Sequence, residues 1–403
     1  MSDPDDVDVW IGLDVGKEHH FADVLDDRGV SLFSRPVAND ETAIRAVIAQ
    51  SARFGTPGVV IDQPGSIGQL VLVVAGELET PVAYVPGLVM RRAADLYPGE
   101  AKTDPRDAYI LADTARTRRH QVHWLGVVDD LIVELRVLNG FDIDLAADVN
   151  RTTNRLRDAL TSISPTLERC VGSRLNHPGL RDLIAKYPTP TLLRAAGKSR
   201  IRDRIKKRSP RLAAKETEKI WDALAAQTVT VPAETTLGRV IGELAAELDR
   251  LRARRDVLAA EIEELFLAHP LGPVLVSLPG IGPRTGARVL AEIGDGSSFA
   301  NGSKLAAYAG LAPVTWQSGT SIKGEHRSRR GNHRLKNALF LAAFASLSSP
   351  ESRAFYDRKR GEGKRHNAAI ICLARRRCDV ILAMLRDGTL YQPRSETIFV
   401  QAA

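Results

Sequence analysis

The sequence predicts an α/β sheet followed by an all-α remainder, and three observations predict it. Short strand patterns fill the first 34 residues, and strand and helix patterns then alternate as far as Val85. From about residue 126 to 268 strand signals fade, and Ala, Leu, Arg and Glu dominate with only scattered prolines. After His269-Pro270 the composition shifts again, with Gly and Pro clustered near 278–286 and 310–331.

Val9-Trp-Ile-Gly-Leu-Asp14 reads as a short buried strand ending in a carboxylate. Alternation over Phe21 to Asp26 and again over Val30 to Phe33, with Asp-Asp-Arg-Gly between, completes a three-strand meander. Residues 40–53 carry helical spacing, Gly58 to Asp62 is a buried strand, Ile67 to Leu78 is helical, and Val82 to Val85 is a fifth strand. This order fits an RNase H-like mixed sheet. A doubly wound nucleotide-binding sheet fits less well, since no Gly-x-Gly-x-x-Gly follows the first strand.

In the helical middle, Leu237, Ile241, Leu244, Leu248, Leu251, Leu258, Ile262 and Leu265 alternate four and three apart, with Arg255 at an expected seam position. The spacing predicts a coiled coil over residues 236–266 that pairs two copies. An intramolecular hairpin against residues 128–160 would use the same stripe. The expected domains are 1–125 (mixed sheet), 126–268 (helical, with the coiled coil) and 269–403 (mainly helical).

The chain has 403 residues, of which 44% are hydrophobic and 26% charged, which excludes disordered, collagenous and membrane-embedded classes. Three cysteines (Cys170, Cys372, Cys378) without a CxxC pair exclude a disulfide framework and make a structural zinc site unexpected. The N-terminus is acidic, and the longest apolar run, Ala338 to Leu347, falls short of the ~20 residues that span a bilayer. A cytoplasmic protein with no membrane partner is expected. The net charge is +7. About 5 Lys/Arg face 12 Asp/Glu within residues 1–62, against about 15 and 5 within 318–379. A basic C-terminal region suits phosphates, and an acidic N-terminal region suits metal ions.

Four carboxylates stand out: Asp14 and Asp62 at strand ends, and Asp104 with Asp107 in Lys102-Thr-Asp-Pro-Arg-Asp-Ala108. In an RNase H-like sheet the first and fourth strands are neighbours, so Asp14 and Asp62 converge on one edge. The i,i+3 spacing of the other pair puts both on one helical face. Hard Mg²⁺ prefers such oxygen donors and keeps several waters, and two ions suit phosphoryl transfer. The competing reading makes Asp104 a helix N-cap with Pro105 behind it, needing no metal.

Leu278-Pro-Gly-Ile-Gly-Pro-Arg-Thr-Gly286 fits a helix-hairpin-helix turn, in which Gly280 and Gly282 let backbone amides approach a phosphate; a plain αα-hairpin is the alternative. Beyond it, Gly310-Leu-Ala-Pro-Val-Thr-Trp-Gln-Ser318-Gly is followed by Lys323, His326, Arg327, Arg329, Arg330 and Arg334. A hydroxyl among guanidinium groups suits attack on a phosphodiester, because the cations stabilise phosphoryl charge. Chemistry alone does not separate Ser318 from Ser321, Ser328 or Tyr308.

The order of these motifs resembles the DEDD insertion-sequence transposases, the IS-one-ten family of bridge-RNA-guided recombinases. The resemblance covers nearly the whole chain: Gly12-Leu-Asp14-Val-Gly-Lys17, Lys102 to Ala108, the helical middle, Leu278 to Gly282, Gly310 to Pro313, Ser318-Gly319 and Arg330-Gly-Asn332. It implies a RuvC-like domain with a metal site at Asp14, Asp62, Asp104 and Asp107, and a C-terminal domain whose serine nucleophile maps onto Ser318. It further implies Mg²⁺, donor and target DNA, a guide RNA, a transient phosphoserine link, and a dimer of dimers on nucleic acid. One position departs: the family's second acidic residue is usually glutamate, and here Asp62 is shorter. A structure-selective nuclease using water, and a non-catalytic nucleic-acid-binding protein, are the rival functions.

Overall fold

A computed structural model describes residues 4–63, 65–98, 103–125, 129–318, 322–326, 328 and 330–393. The chain divides into two compact units. One holds the described residues up to 133, those of 293–343 and those from 350; the other holds 134–292 with 344–349.

In the first unit the strands are β1 (Val9–Asp14), β2 (His19–Leu25), β3 (Ser31–Ala38), β4 (Pro57–Ile61), β5 (Val82–Tyr84) and β6 (His123–Leu125). Helix α1 (Glu41–Ser51) links β3 to β4, α2 (Gln69–Glu77) links β4 to β5, and α3 (Gly87–Ala94) and α4 (Asp104–Thr117) precede β6. The sheet order is β3-β2-β1-β4-β5-β6. β1, β2 and β3 are antiparallel, β4 and β5 join in parallel, and β6 closes the far edge antiparallel. This is the mixed RNase H-like sheet that the meander predicts, with the three-residue β6 added.

Period-two alternation divides β1 between two cores. Ile11 and Leu13 pack with Ile44, Ile48, Val71 and Val74 of α1 and α2. Trp10 packs with Val60, Ile110, Leu111 and Ala112 on the α4 side. Trp10 is fully buried, its ring 6.1 Å from that of Trp124 in β6. Each such buried side chain contributes about 1.5–3 kcal/mol.

The second unit is helical: α5 (Asp130–Ile163), α6 (Pro165–Val171), α7 (Pro178–Lys186), α8 (Pro190–Arg208), α9 (Ala213–Ala225), α10 (Glu234–Ala268), α11 (Leu271–Val276) and α12 (Pro283–Ile293). The helix expected over 236–266 is there, with Leu237 and Leu265 half-buried and the rest of its stripe buried. Ile241, Leu244, Leu248, Leu251, Leu258 and Ile262 are buried within the chain, and α10 packs on α7 over part of its length. The stripe is thus covered at least in part by helices of the same chain. Arg255 breaks the apolar stripe because its guanidinium binds Asp142 of α5 at 2.9 and 3.1 Å.

The first unit continues with α13 (Gly302–Tyr308), the hairpin β7 (Val314–Ser318) and β8 (Ile322–His326), then α14 (His333–Ala345), α15 (Pro350–Gly361) and α16 (His366–Asp387). Gly302 brings α13 against α16, where a Cβ would overlap the Asp379 side chain. Among the described residues no helix is long and apolar enough to cross a membrane.

Candidate functional site

The strand register sets the first two carboxylates side by side. Leu13 pairs with Ile61 in the parallel β1/β4 ladder, so Asp14 and Asp62 are the next residues on neighbouring strands. Alternation from Trp10 and Val60 turns both toward α4. The direction of α4 follows from its far end. Arg116 donates to the Asp27 carbonyl at 3.1 Å in the β2/β3 turn, and Arg119 donates to the Asp5 and Val7 carbonyls at 2.8 and 2.6 Å, ahead of β1. The last turn of α4 thus sits at the start of β1. Its first turn, with Asp104 and Asp107, points to the end where Asp14 lies.

Gly12 makes this seating possible, since a Cβ there would overlap the Ala108 carbonyl and stand 2.8 Å from the Ala112 nitrogen. Tyr97 fixes the same helix through a 2.5 Å hydrogen bond to Asp113, and Arg106 donates to the Tyr97 carbonyl at 3.0 Å. Thr103, not Asp104, is the N-cap of α4, and it makes no side-chain cap bond. Asp104 is exposed, while Asp14, Asp62 and Asp107 are half-buried. Asp14 and Asp62 thus lie at the ends of neighbouring strands, and the first turn of α4 carries Asp104 and Asp107 toward the same end of the sheet. Among the described residues no three acidic, His or Cys side chains close into a ready-made metal cage.

Behind Asp14 the chain turns sharply at Gly16, whose N–H donates to His20 Nδ1 at 3.2 Å. Burial holds the His20 imidazole below its ordinary value, so the ring is kept neutral as an acceptor. On β5, burial raises the Tyr84 phenol, and the nearby Tyr308 and Asp62 add to the rise. The Asp62 edge and α13 therefore lie within electrostatic reach of the same phenol.

Ser318 is the last residue of β7, paired with Ile322 at the tip of the hairpin. The base is clamped by two glycines. Gly310 and Gly331 both have positive φ, 67° and 103°, and a Cβ on Gly331 would lie 2.6 Å from the Gly310 nitrogen. Asn332 donates its N–H to the Tyr308 carbonyl at 2.7 Å and caps α14 by accepting from Leu335 N–H at 3.0 Å. Lys336 donates to the Gly310 carbonyl at 2.7 Å. Two segments that are 20 residues apart, Gly310-Leu-Ala-Pro and Arg330-Gly-Asn, thus form one knot beneath the hairpin.

Of the predicted cations, Arg330 and Arg334 are exposed, and Lys323 pairs with Gln317 in the ladder. Arg327 and Arg329 lie outside the described residues. Gly280 and Gly282 lie in the short turn between α11 and α12, in the other unit; Gly280 has φ +85° and Gly282 has open space where a Cβ would go. Sequence reasoning counted the charges of α15 and α16 in the basic C-terminal region but did not single out their cluster around Phe355. There Arg358, Lys359 and Arg376 stand 5.0, 5.8 and 5.1 Å from the centre of the Phe355 ring. The aromatic at 355 inside the charge run was the available signal.

The mixed sheet with acidic residues at its strand ends fits the DEDD class of transposases, and comparison with known proteins shows that class. Residues 11–165 match the DEDD transposase model of IS110, and residues 272–357 match a model described as the transposase IS116/IS110/IS902 family. The chain is 49% identical to a 43.6 kDa protein of insertion element IS110 from Streptomyces coelicolor, over 98% of each. It is 37% identical to a protein of IS116 from Streptomyces clavuligerus over 96% of each, and 39% identical to one of IS900 from Mycobacterium paratuberculosis over 96% and 98%. The chain belongs to the IS116/IS110/IS902 family of insertion-element transposases.

Proposed function

We propose that the chain cuts and rejoins DNA strands of an insertion element, using Ser318 as nucleophile beside a metal-binding edge made by Asp14, Asp62, Asp104 and Asp107. The observation that carries this reading is the seating of α4 on β1 through Gly12, with all four carboxylates toward one end of the sheet. Bound Mg²⁺, two ions in this reading, would supply Lewis-acid stabilisation of phosphoryl charge at that edge. Ser318 Oγ forms a bond to phosphorus as a strand P–O bond breaks, the serine proton is lost, and the departing strand oxygen takes up a proton. The reverse exchange restores a phosphodiester to a new strand end, so rejoining needs no ATP. Arg330 and Arg334, with Lys323, Arg327 and Arg329, hold the backbone around the hairpin, and Gly280 and Gly282 admit a phosphate at their turn.

The family resemblance extends the proposal to a guide RNA pairing with donor and target DNA, and to a dimer of dimers. Since the α10 stripe is buried in the chain, such pairing would use other surfaces. The test is denaturing electrophoresis of full-length protein with labelled element-end DNA, its co-purified RNA and Mg²⁺. A protein–DNA adduct that Ser318→Ala abolishes, and activity that folded Asp14→Ala lacks, are the expected results. An adduct surviving in Ser318→Ala moves the nucleophile elsewhere. Cleavage without any adduct points instead to water as nucleophile. Protein that binds DNA equally in EDTA and never cuts it overturns the enzymatic reading.

A further inference from the structure

The helical unit holds a recess of about 340 Å³ that shares no residue with the site proposed above. Its wall carries five arginines, Arg181, Arg208, Arg252, Arg255 and Arg284, together with Asn176. They come from four helices, α7, α8, α10 and α12. The volume is at the lower end of the roughly 300–1,000 Å³ of ligand pockets, and this lining suits an anion rather than an apolar molecule.

The charges on the wall are only partly balanced. Asp249 is shared by Arg181 at 2.8 Å and Arg208 at 2.6 Å. Asp142, behind the wall, is shared by Arg255 and by Arg288 at 2.8 Å. Each carboxylate thus serves two guanidinium groups, and Asp256 is the remaining acid on the wall. Arg252 stands between these pairs. Its Nε is buried and donates no hydrogen bond. Burial lowers the pKa of its guanidinium, and the neighbouring Arg181 and Arg255 lower it further. Arg284 enters from the first turn of α12, directly after the Gly280–Gly282 turn. A surplus of preorganised donors in a concave site is the arrangement that recognises a phosphate group.

We infer that this recess seats a phosphodiester of a nucleic-acid strand, clamped by Arg252 and Arg284 between the carboxylate-held Arg181/Arg208 pair and Arg255. The choice of a strand over a free phosphate ion rests on the transposase reading.

The test measures binding of a fluorescent duplex of about 20 base pairs to the full chain across a salt series, using Arg252→Gln/Arg284→Gln. One phosphate contact fewer lowers the slope of log K against log salt by about 0.9. That decrease, with weaker binding near physiological salt, is the expected result. Arg252→Lys/Arg284→Lys keeps the charges and should restore most of the slope, which a purely structural role would not do. Normal binding with an unchanged slope overturns this inference and leaves the transposase reading standing. Wild-type protein that binds no nucleic acid at any salt overturns both. Inorganic phosphate is the second probe. Saturable phosphate binding to the wild type, with an unchanged duplex slope in the variant, assigns the recess to the free ion and overturns the strand assignment.

Discussion

Gly12 of β1 and Ala108 of α4 meet backbone to backbone: a methyl group on the glycine would overlap the alanine carbonyl and crowd the Ala112 nitrogen at 2.8 Å. Neither partner is a flexible side-chain end, so Gly12→Ala must push the helix off the strand. Overpacking of this kind costs about 1–3 kcal/mol, and the shifted helix carries Asp104 and Asp107 with it. Urea unfolding should show that loss, and strand cleavage should fall further than the lost stability accounts for. Gly140 in α5 is the contrast, since nothing lies within 4 Å of its built Cβ. Gly140→Ala should stabilise by about 0.5–1 kcal/mol through helix propensity alone. A Gly12→Ala protein as stable and active as the wild type would remove the close contact from any role.

Asp142 is 7% exposed and accepts from both Arg255 and Arg288. Its replacement by Ala strands two guanidinium groups in a half-buried position, and the expected loss is about 3–5 kcal/mol. Chemical denaturation of Asp142→Ala and of Asp142→Ala/Arg255→Met measures it. The double variant should recover part of the loss, because the apolar seam position is then filled by an apolar side chain. No recovery would mean that Arg288 alone dominates the pairing.

Acid should destabilise the protein in two windows with distinct owners. His20 has its pKa depressed below 6.5 by burial, so the unfolded chain takes up the proton first. Its contribution is complete above pH 6.5 and is lost as pH falls through the folded value. Asp249 is acted on first by burial, which raises it, but hydrogen bonds from Arg208 and Arg181 outweigh that and leave it below 3.8. Its contribution is complete above that value and is lost in the more acidic window. Unfolding midpoints followed from neutral pH downward should decline through both. His20→Asn should flatten the first decline and Asp249→Asn the second. A wild-type midpoint unchanged from neutral pH to about pH 5 would contradict the assignment to His20.

Much of the sheet was legible because burial on both faces writes apolar runs that end where the strand ends. Asp14 and Asp62 were readable as strand-end neighbours for that reason. The edge strand β6, with three residues, leaves no periodic signal. The β7/β8 hairpin lies in a stretch whose Gly, Pro and basic residues carry no alternating pattern, so a mainly helical domain is what the sequence predicts there. In α10 the helix was legible and its partner was not. A stripe of leucines records that it must be covered but not by what, and α7, about 50 residues earlier, lies against part of it. Arg255 marked an interruption of that stripe, yet Asp142, 113 residues away, explains it only in three dimensions. The arginine recess was illegible for the same reason, since its side chains converge from four helices separated along the chain.

The division of the chain has a consequence for its synthesis. Residues 134–292 interrupt the first unit, whose later part, 293–343 and beyond, is made last. Domains generally fold as they emerge, N-terminal first, but here the bulk of the helical unit, 134–292, is made before the enclosing unit is complete, and 344–349 join it later. The mixed sheet has all six strands by residue 125, while the serine hairpin reaches the same unit only near the end of translation. A prematurely terminated product would hold its acidic edge and its helices without Ser318. On the function proposed above, such a product has its metal-binding residues but no nucleophile, so the order of synthesis puts the cutting group last.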